Sequence, residues 1–233
     1  MKLWLKKNNT WVFFKNVKKE DLESRNIFLH PSAGIDESTM LGQSVTIREY
    51  ATVRGVMVGD GVMVGADSII GSRSTIGEKS MVGERTIIGP GSLIGLGAKI
   101  EAHVIVGGGT IIGAYSKLRG FSRVGEGSLI GSRSLIGKRV KIGARAKIDD
   151  GVIIKNTSDC VVLGPIGSRN AILTGYFYDG DVWIGTGCFS GRIKTFKKAV
   201  KKKHAGTIHE ADYLAACTYI RKRISLAQKR SKS

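Results

Sequence analysis

From Ile35 to Ile154 an aliphatic residue returns every sixth position. The series runs Ile35, Leu41, Ile47, Val53, loses one residue, resumes at Val58 and continues unbroken through Ile88, Ile112 and Ile136 to Ile154. A helix would set apolar residues three and four apart, and a half-buried strand would alternate on a period of two. A period of six predicts a short strand followed by a two-residue corner, over and over. Two positions ahead of each aliphatic there is usually a small or β-branched residue (Ser68, Ser74, Ser80, Thr86, Ser92), which points the same way, and the residue between them points out. Fourteen of the 21 aliphatics are followed by Gly, which would leave the outer wall flat. Gly also recurs at the second corner position (Gly61, Gly91, Gly97, Gly109, Gly127, Gly151), where a positive φ is easiest without a Cβ.

The repeat "I-G-x-x-S-x" closely resembles the hexapeptide-repeat superfamily over residues 35 to 155. The resemblance implies a left-handed parallel β-helix of triangular section with three hexads per coil. That handedness comes from the resemblance alone, because ordinary crossovers between parallel strands are right-handed. Twenty-one hexads make about seven coils, a prism about 33 Å long at a strand spacing of about 4.8 Å.

Residues eighteen apart should then stack vertically, which sorts the outward positions by face. One face carries Met57, Thr75, Leu93, Ile111, Leu129 and Lys147. A second carries Ile69, Ile87, Ile105, Arg123 and Lys141, and a third Met63, Met81, Lys99, Lys117, Leu135 and Ile153. The apolar stripes of the first two are more than a lone soluble subunit should expose. The superfamily is usually trimeric, so a homotrimer is expected.

The flanks read differently. Residues 1–34 lack the hexad, and "LWLKKNNTWVFF" predicts a hairpin about Asn8–Asn9 that caps the first coil. Residues 35–157 form the prism. In residues 158–233, "CVVLG", "AILTGYFY" and "DVWIGTGCF" predict strands. Ser190 is placed to cap a helix through Lys203, and Thr207 with Glu210 to form a capping box for a second helix to about Gln228. The expected fold class is therefore mainly β: a parallel β-helix with a short N-terminal cap and a small basic α+β module. The phrases "GPIGSR" and "TGCFSG", with Phe196, Ala199, Val200 and His204, resemble a small module of phage-encoded proteins, which carries no known activity and would allow a phage-infected host cytoplasm as its setting.

Composition adds constraints. The 32 glycines come with only three prolines and no Gly-X-Y period, which excludes collagen and a Pro/Gly linker. No apolar run is long enough to span a bilayer, and the start "MKLWLKKNNT" has no apolar core of a secretory signal. Three cysteines, an odd number without metal-ligand spacing, read as reduced thiols in the cytoplasm. The net charge of +18 implies anionic partners. Residues 192–233 alone hold thirteen Lys/Arg against two acids, so nucleic acid is a further possible partner, with a solvated basic face as the bland alternative.

Members of the superfamily are mostly acyltransferases, which the resemblance implies would use a histidine as general base and acyl-CoA as co-substrate. His103, in "IEAHVIVG", is the only histidine in the prism. It falls one place later than the "I-x-H" segment of UDP-N-acetylglucosamine acyltransferases, and no long loop interrupts the hexads. The gamma-class carbonic anhydrases, which share the prism, take zinc through three histidines; one prism histidine predicts no metal site. The corner columns offer other chemistry. Arg85, His103, Phe121 and Arg139 share one edge, Tyr115 and Arg133 the next, and Arg145 the third, with Lys141 on a face. A ring beside a guanidinium can stack a base and hold a phosphate.

The first expectation is thus binding, with sequestration as one use, of a phosphate-bearing small molecule such as a nucleotide signal, in clefts between subunits, with Arg85, His103, Tyr115, Phe121, Arg133, Arg139, Lys141 and Arg145 as contacts. The second is acyl transfer from acyl-CoA with His103 as base. The third is a structural or nucleic-acid-associated assembly role.

Overall fold

The structure, a computed structural model, describes residues 2–230. The hexads fold into a parallel β-helix of about seven coils. Each hexad contributes one two-residue strand, and 22 of them (β3–β24) run from Phe28–Leu29 to Ile153–Ile154. Strands eighteen residues apart pair in register, as in Ile69↔Ile87↔Ile105. Three parallel walls result. Wall 1 points Met57, Thr75, Leu93, Ile111, Leu129 and Lys147 outward. Wall 2 points out Met63, Met81, Lys99, Lys117, Leu135 and Ile153. Wall 3 points out Thr52, Ile69, Ile87, Ile105, Arg123 and Lys141.

The second strand residue is the core. Ile76, Ile88, Ile94, Ile112, Ile130 and Ile136 are fully buried, each such side chain contributing roughly 1.5–3 kcal/mol. The small residue two places earlier is buried as well, and its hydroxyl closes a bond to the next coil: Ser80 Oγ donates to the Gly95 carbonyl and Ser116 Oγ to that of Gly131, both at 2.8 Å. Serine fits because the next coil supplies a carbonyl to satisfy its hydroxyl; Thr86 meets the Glu101 carbonyl in the same way, and Val104, Val140 and Val152 fill the position without one.

Glycine after the aliphatic has a different reason from the flat wall expected of it. A Cβ on Gly89 would lie 2.3 Å from the Gly108 nitrogen, and one on Gly113 2.4 Å from that of Ser132. The next coil's backbone passes too close for any side chain in the local geometry. The five-residue step from Val53 to Val58 is absorbed at one corner, where Gly55 has φ +61° and Met40 pairs with Met57.

The ends are closed by the flanking segments. β1 (Leu3–Lys7) and β2 (Thr10–Phe14) form the antiparallel hairpin, with Asn8 and Asn9 both at positive φ. β1 then pairs in parallel with Met40–Leu41, covering that edge. After the short helix α1 (Lys19–Glu23), the ladder starts at Phe28–Leu29, six residues ahead of Ile35, because Phe28 already pairs with Thr46.

At the other end β25 (Cys160–Ile166), β26 (Ala171–Tyr178), β27 (Asp181–Thr186) and β28 (Phe189–Arg192) make an antiparallel meander, followed by α2 (Ile193–His204) and α3 (Ile208–Arg230). Tyr176 enters the prism core, and Thr174 Oγ1 accepts the Lys147 amide at 2.9 Å. The two helices cover the other side with Phe196, Val200, Tyr213, Ile220 and Ile224. Two local expectations are corrected. Ser190 lies in β28 and donates to the Asp149 carboxylate, so it does not cap α2, whose N-cap is Arg192. Thr207 Oγ1 accepts the Glu210 amide, but the Glu210 carboxylate reaches back to the Gly206 amide, one residue earlier than a capping box requires. The module covers the last coil and leaves the apolar stripes of walls 1 and 3 open: Leu93 is 44% exposed and Ile69 49%. Among the described residues, no helix is long and apolar enough to cross a membrane.

Candidate functional site

The corner columns become three ridges running the length of the prism. On the ridge between walls 2 and 3, each corner amide bonds the coil before it: Arg85 to the Ala66 carbonyl, His103 to Glu84, Phe121 to Ala102 and Arg139 to Gly120. Backbone pairing therefore sets these four residues one above another. The His103 and Phe121 rings stack at 4.6 Å between centroids and 11° between planes. The Arg139 guanidinium lies over the other side of Phe121, at 5.9 Å. Arg85 turns toward Asp67, at 3.7 Å. The backbone at all four is left-handed, with φ between +52° and +61°.

This conformation is costly for residues with a Cβ. Seven other corners meet it with Gly. Here an imidazole, a phenyl and two guanidiniums occupy it, and Phe121 is still 49% exposed.

The repeat also breaks beside this ridge. Glu101 and Arg119 stand where most hexads have Gly, eighteen residues apart. Glu101 Oε2 accepts the Gly120 amide at 3.0 Å, and its other oxygen meets Lys117 Nζ at 3.1 Å. Burial pushes the Glu101 carboxyl up, but the Gly120 amide, the Lys117 bond and the Lys117 and Arg119 charges outweigh it and hold it below the ordinary value. These residues escaped the reading of the corner columns. The signal for them was in the chain: two non-Gly residues after the aliphatic, one coil apart, flanking His103 and Phe121.

Arg119, Arg123, Arg139 and Lys141 gather within two coils of Phe121. Arg123 pairs directly with Lys141 on wall 3, a juxtaposition of like charges that is unfavourable in a sheet. Arg123, Arg139 and Lys141 have no carboxylate partner among the described residues. An anion settling against them relieves that repulsion.

The remaining candidates lie elsewhere on the single chain. Tyr115 and Arg133 sit on the ridge between walls 1 and 2, where the Tyr115 ring runs past Gly97, 2.8 Å from where a Cβ would be. Arg145 sits on the ridge between walls 3 and 1, above Gly127. One chain thus assembles Arg85, His103, Phe121 and Arg139, with Lys141 beside them, and does not bring Tyr115, Arg133 or Arg145 to that group. His204 and His209 belong to the C-terminal module and His30 to the first coil. No group of three or more His, Cys, Asp or Glu side chains fit to hold a metal occurs among the described residues.

No protein-family model matches the chain, and no curated protein does. Solved structures are similar to about half of it. The UDP-N-acetylglucosamine acyltransferase of Francisella novicida is 16% identical with a TM-score of 0.45, over 55% of this chain and 60% of that one. A hexapeptide transferase family protein from Anaplasma phagocytophilum is 16% identical with a TM-score of 0.42, over 55% and 72%. A mutant GDP-perosamine N-acetyl transferase from Caulobacter crescentus, in complex with CoA and GDP-perosamine, is 18% identical with a TM-score of 0.28, over 56% and 53%. The chain spans about three fifths of the length of the first of these.

Proposed function

We propose that the ridge of His103, Phe121 and Arg139 binds the phosphate-bearing part of an acyl-CoA, and that the chain transfers the acyl group to a small hydroxyl or amine acceptor. One observation carries this reading. His103, the one histidine of the hexads from Ile35 to Ile154, is held flat against Phe121 and makes no ring hydrogen bond among the described residues, so a nitrogen is free to take a proton beside a row of unpaired cations. In the reaction His103 takes the acceptor's proton as the oxygen or nitrogen attacks the thioester carbonyl. The C–S bond breaks, and the CoA thiolate leaves and is protonated.

The same proposal accounts for the candidates on separate ridges. Between walls 3 and 1 the edge carries Gly91, Gly109 and Gly127, so the stripe Ile69–Ile87–Ile105 and the stripe Leu93–Ile111–Leu129 meet across a smooth edge. Three copies with that edge at a common axis would pack wall 1 of one against wall 3 of the next. The ridge of Tyr115 and Arg133 would then face the ridge of His103, Phe121 and Arg139 of a neighbouring copy at the same coil height. Two arginine-bearing ridges facing each other repel unless an anion lies between them, and that suits a polyphosphate.

The test is release of free thiol from acetyl-CoA with a panel of amino and hydroxyl sugars. His103→Ala should lower turnover about 100-fold or more, the range of general-base catalysis, at unchanged melting temperature. Equal turnover in the variant overturns the assignment.

A second reading, binding of a nucleotide without turnover, is favoured by a specific feature: among the described residues no carboxylate orients the His103 ring, since Glu101 is engaged by Lys117 and Gly120. Under it, cyclic and linear nucleotides raise the melting temperature and are recovered intact after denaturation, and no acyl donor is consumed.

A further inference from the structure

The C-terminal module holds a cavity of its own, of about 170 Å³. It opens between the loop after β25, the turn joining β27 to β28, and the faces of α2 and α3. Its floor is aromatic: Phe189 and Phe196 lie 5.0 Å apart between centroids, and Tyr213 meets Phe196 edge-on at 5.7 Å. Its rim carries Arg169 and Lys203, both exposed. Neither has a carboxylate partner among the described residues, and no acid lines the cavity. Thr186, in the wall, has a buried hydroxyl with no hydrogen-bond partner.

We infer that this cavity is a binding site for a small carboxylate with a single-ring aromatic or short branched aliphatic body. The size sets the body, since an apolar cavity of about 150 Å³ takes up one benzene ring. The aromatic floor favours a ring that can meet Phe196 and Tyr213 at their edges. The two rim cations set the charge, because the lining adds only the His204 imidazole to them among the described ionisable side chains other than Cys188 and Tyr213, and no carboxylate; Arg169 can grip a carboxylate through two parallel N–H donors. An anion also offsets the mutual repulsion of the basic residues along α2. The site is independent of the His103 ridge: its lining residues all come from the module that closes the last coil.

Thermal shift and calorimetry on the full chain test this with benzoate and isovalerate as probes, against benzamide, benzamidine and acetate. Saturable binding of benzoate or isovalerate is expected, with benzamide and benzamidine at least about tenfold weaker, a difference of about 1.4 kcal/mol. Lys203→Glu and Arg169→Glu change exposed residues and should fold normally while weakening benzoate about tenfold or more. Phe189→Ala should weaken it through lost packing. His103→Ala should leave it unchanged. Equal binding of benzamide, or benzoate binding untouched by both charge reversals, overturns the carboxylate assignment. Absence of binding by either carboxylate at about 10 mM, where even Kd values near 1 mM would register, overturns the site. Loss of binding in His103→Ala moves the ligand to the ridge and overturns the independence of the cavity.

Discussion

Phe121 adopts φ +61° at a corner that Gly fills elsewhere, and half of its ring remains in solvent. An L-residue in that region costs roughly 1–2 kcal/mol, and stacking on His103 returns about 0.5–1.5 kcal/mol. Phe121→Gly should therefore change stability by no more than about 1.5 kcal/mol while removing the stacking surface and weakening any ligand of the ridge. The opposite substitution has the opposite cost. In Gly89→Ala the new methyl would press on the Gly108 backbone at 2.3 Å, an overpacking worth about 1–3 kcal/mol. Urea denaturation of both variants measures the contrast. The glycines were legible as a pattern, but their two purposes were not. One set supplies positive φ and the other yields space to the next coil, and only the coil-to-coil distance separates them.

In a single coil, the departures from the repeat matter more than its fulfilment. Glu101 fastens the Arg119–Phe121 corner through the Gly120 amide and Lys117. Its folded carboxyl is held below the ordinary value of 4.5, so its contribution is present above that value and fades as the pH falls through the lowered one. The melting-temperature gap between the native chain and Glu101→Gln should be largest near pH 6 and shrink toward pH 3; a gap constant with pH would rule this out. The short strands, the hairpin and the two long helices were all foreseeable from local pattern. The fourth strand of the module, Phe189–Arg192, was not. Its Ser190 reads as a helix cap locally, yet its hydroxyl meets Asp149, 41 residues earlier, and β27 lies alongside to extend the sheet.

For the molecule as a whole, the exposed stripes of walls 1 and 3 set the strongest expectation. Sedimentation of the native chain should give three times the 25.1 kDa of one copy. Ile111→Asp, at a position 40% exposed in the single chain, should yield folded single copies, because a buried charge without a partner costs several kcal/mol per interface. A native chain that sediments as one copy, or a variant that stays trimeric, would refute the threefold packing and with it the shared cleft.

The chain by itself determined the coil, since a six-residue period admits one repeating strand and corner, and each aliphatic must find the core. That Arg85, His103, Phe121 and Arg139 share a column followed from the period only with the three hexads per turn that the family resemblance implies, because an eighteen-residue interval is vertical only then. Tertiary structure alone decided which column becomes a continuous stack. Ring orientation, the Glu101 clamp across coils and the cavity floored by Phe189, Phe196 and Tyr213 depend on how segments distant in sequence meet, and no local period encodes that meeting.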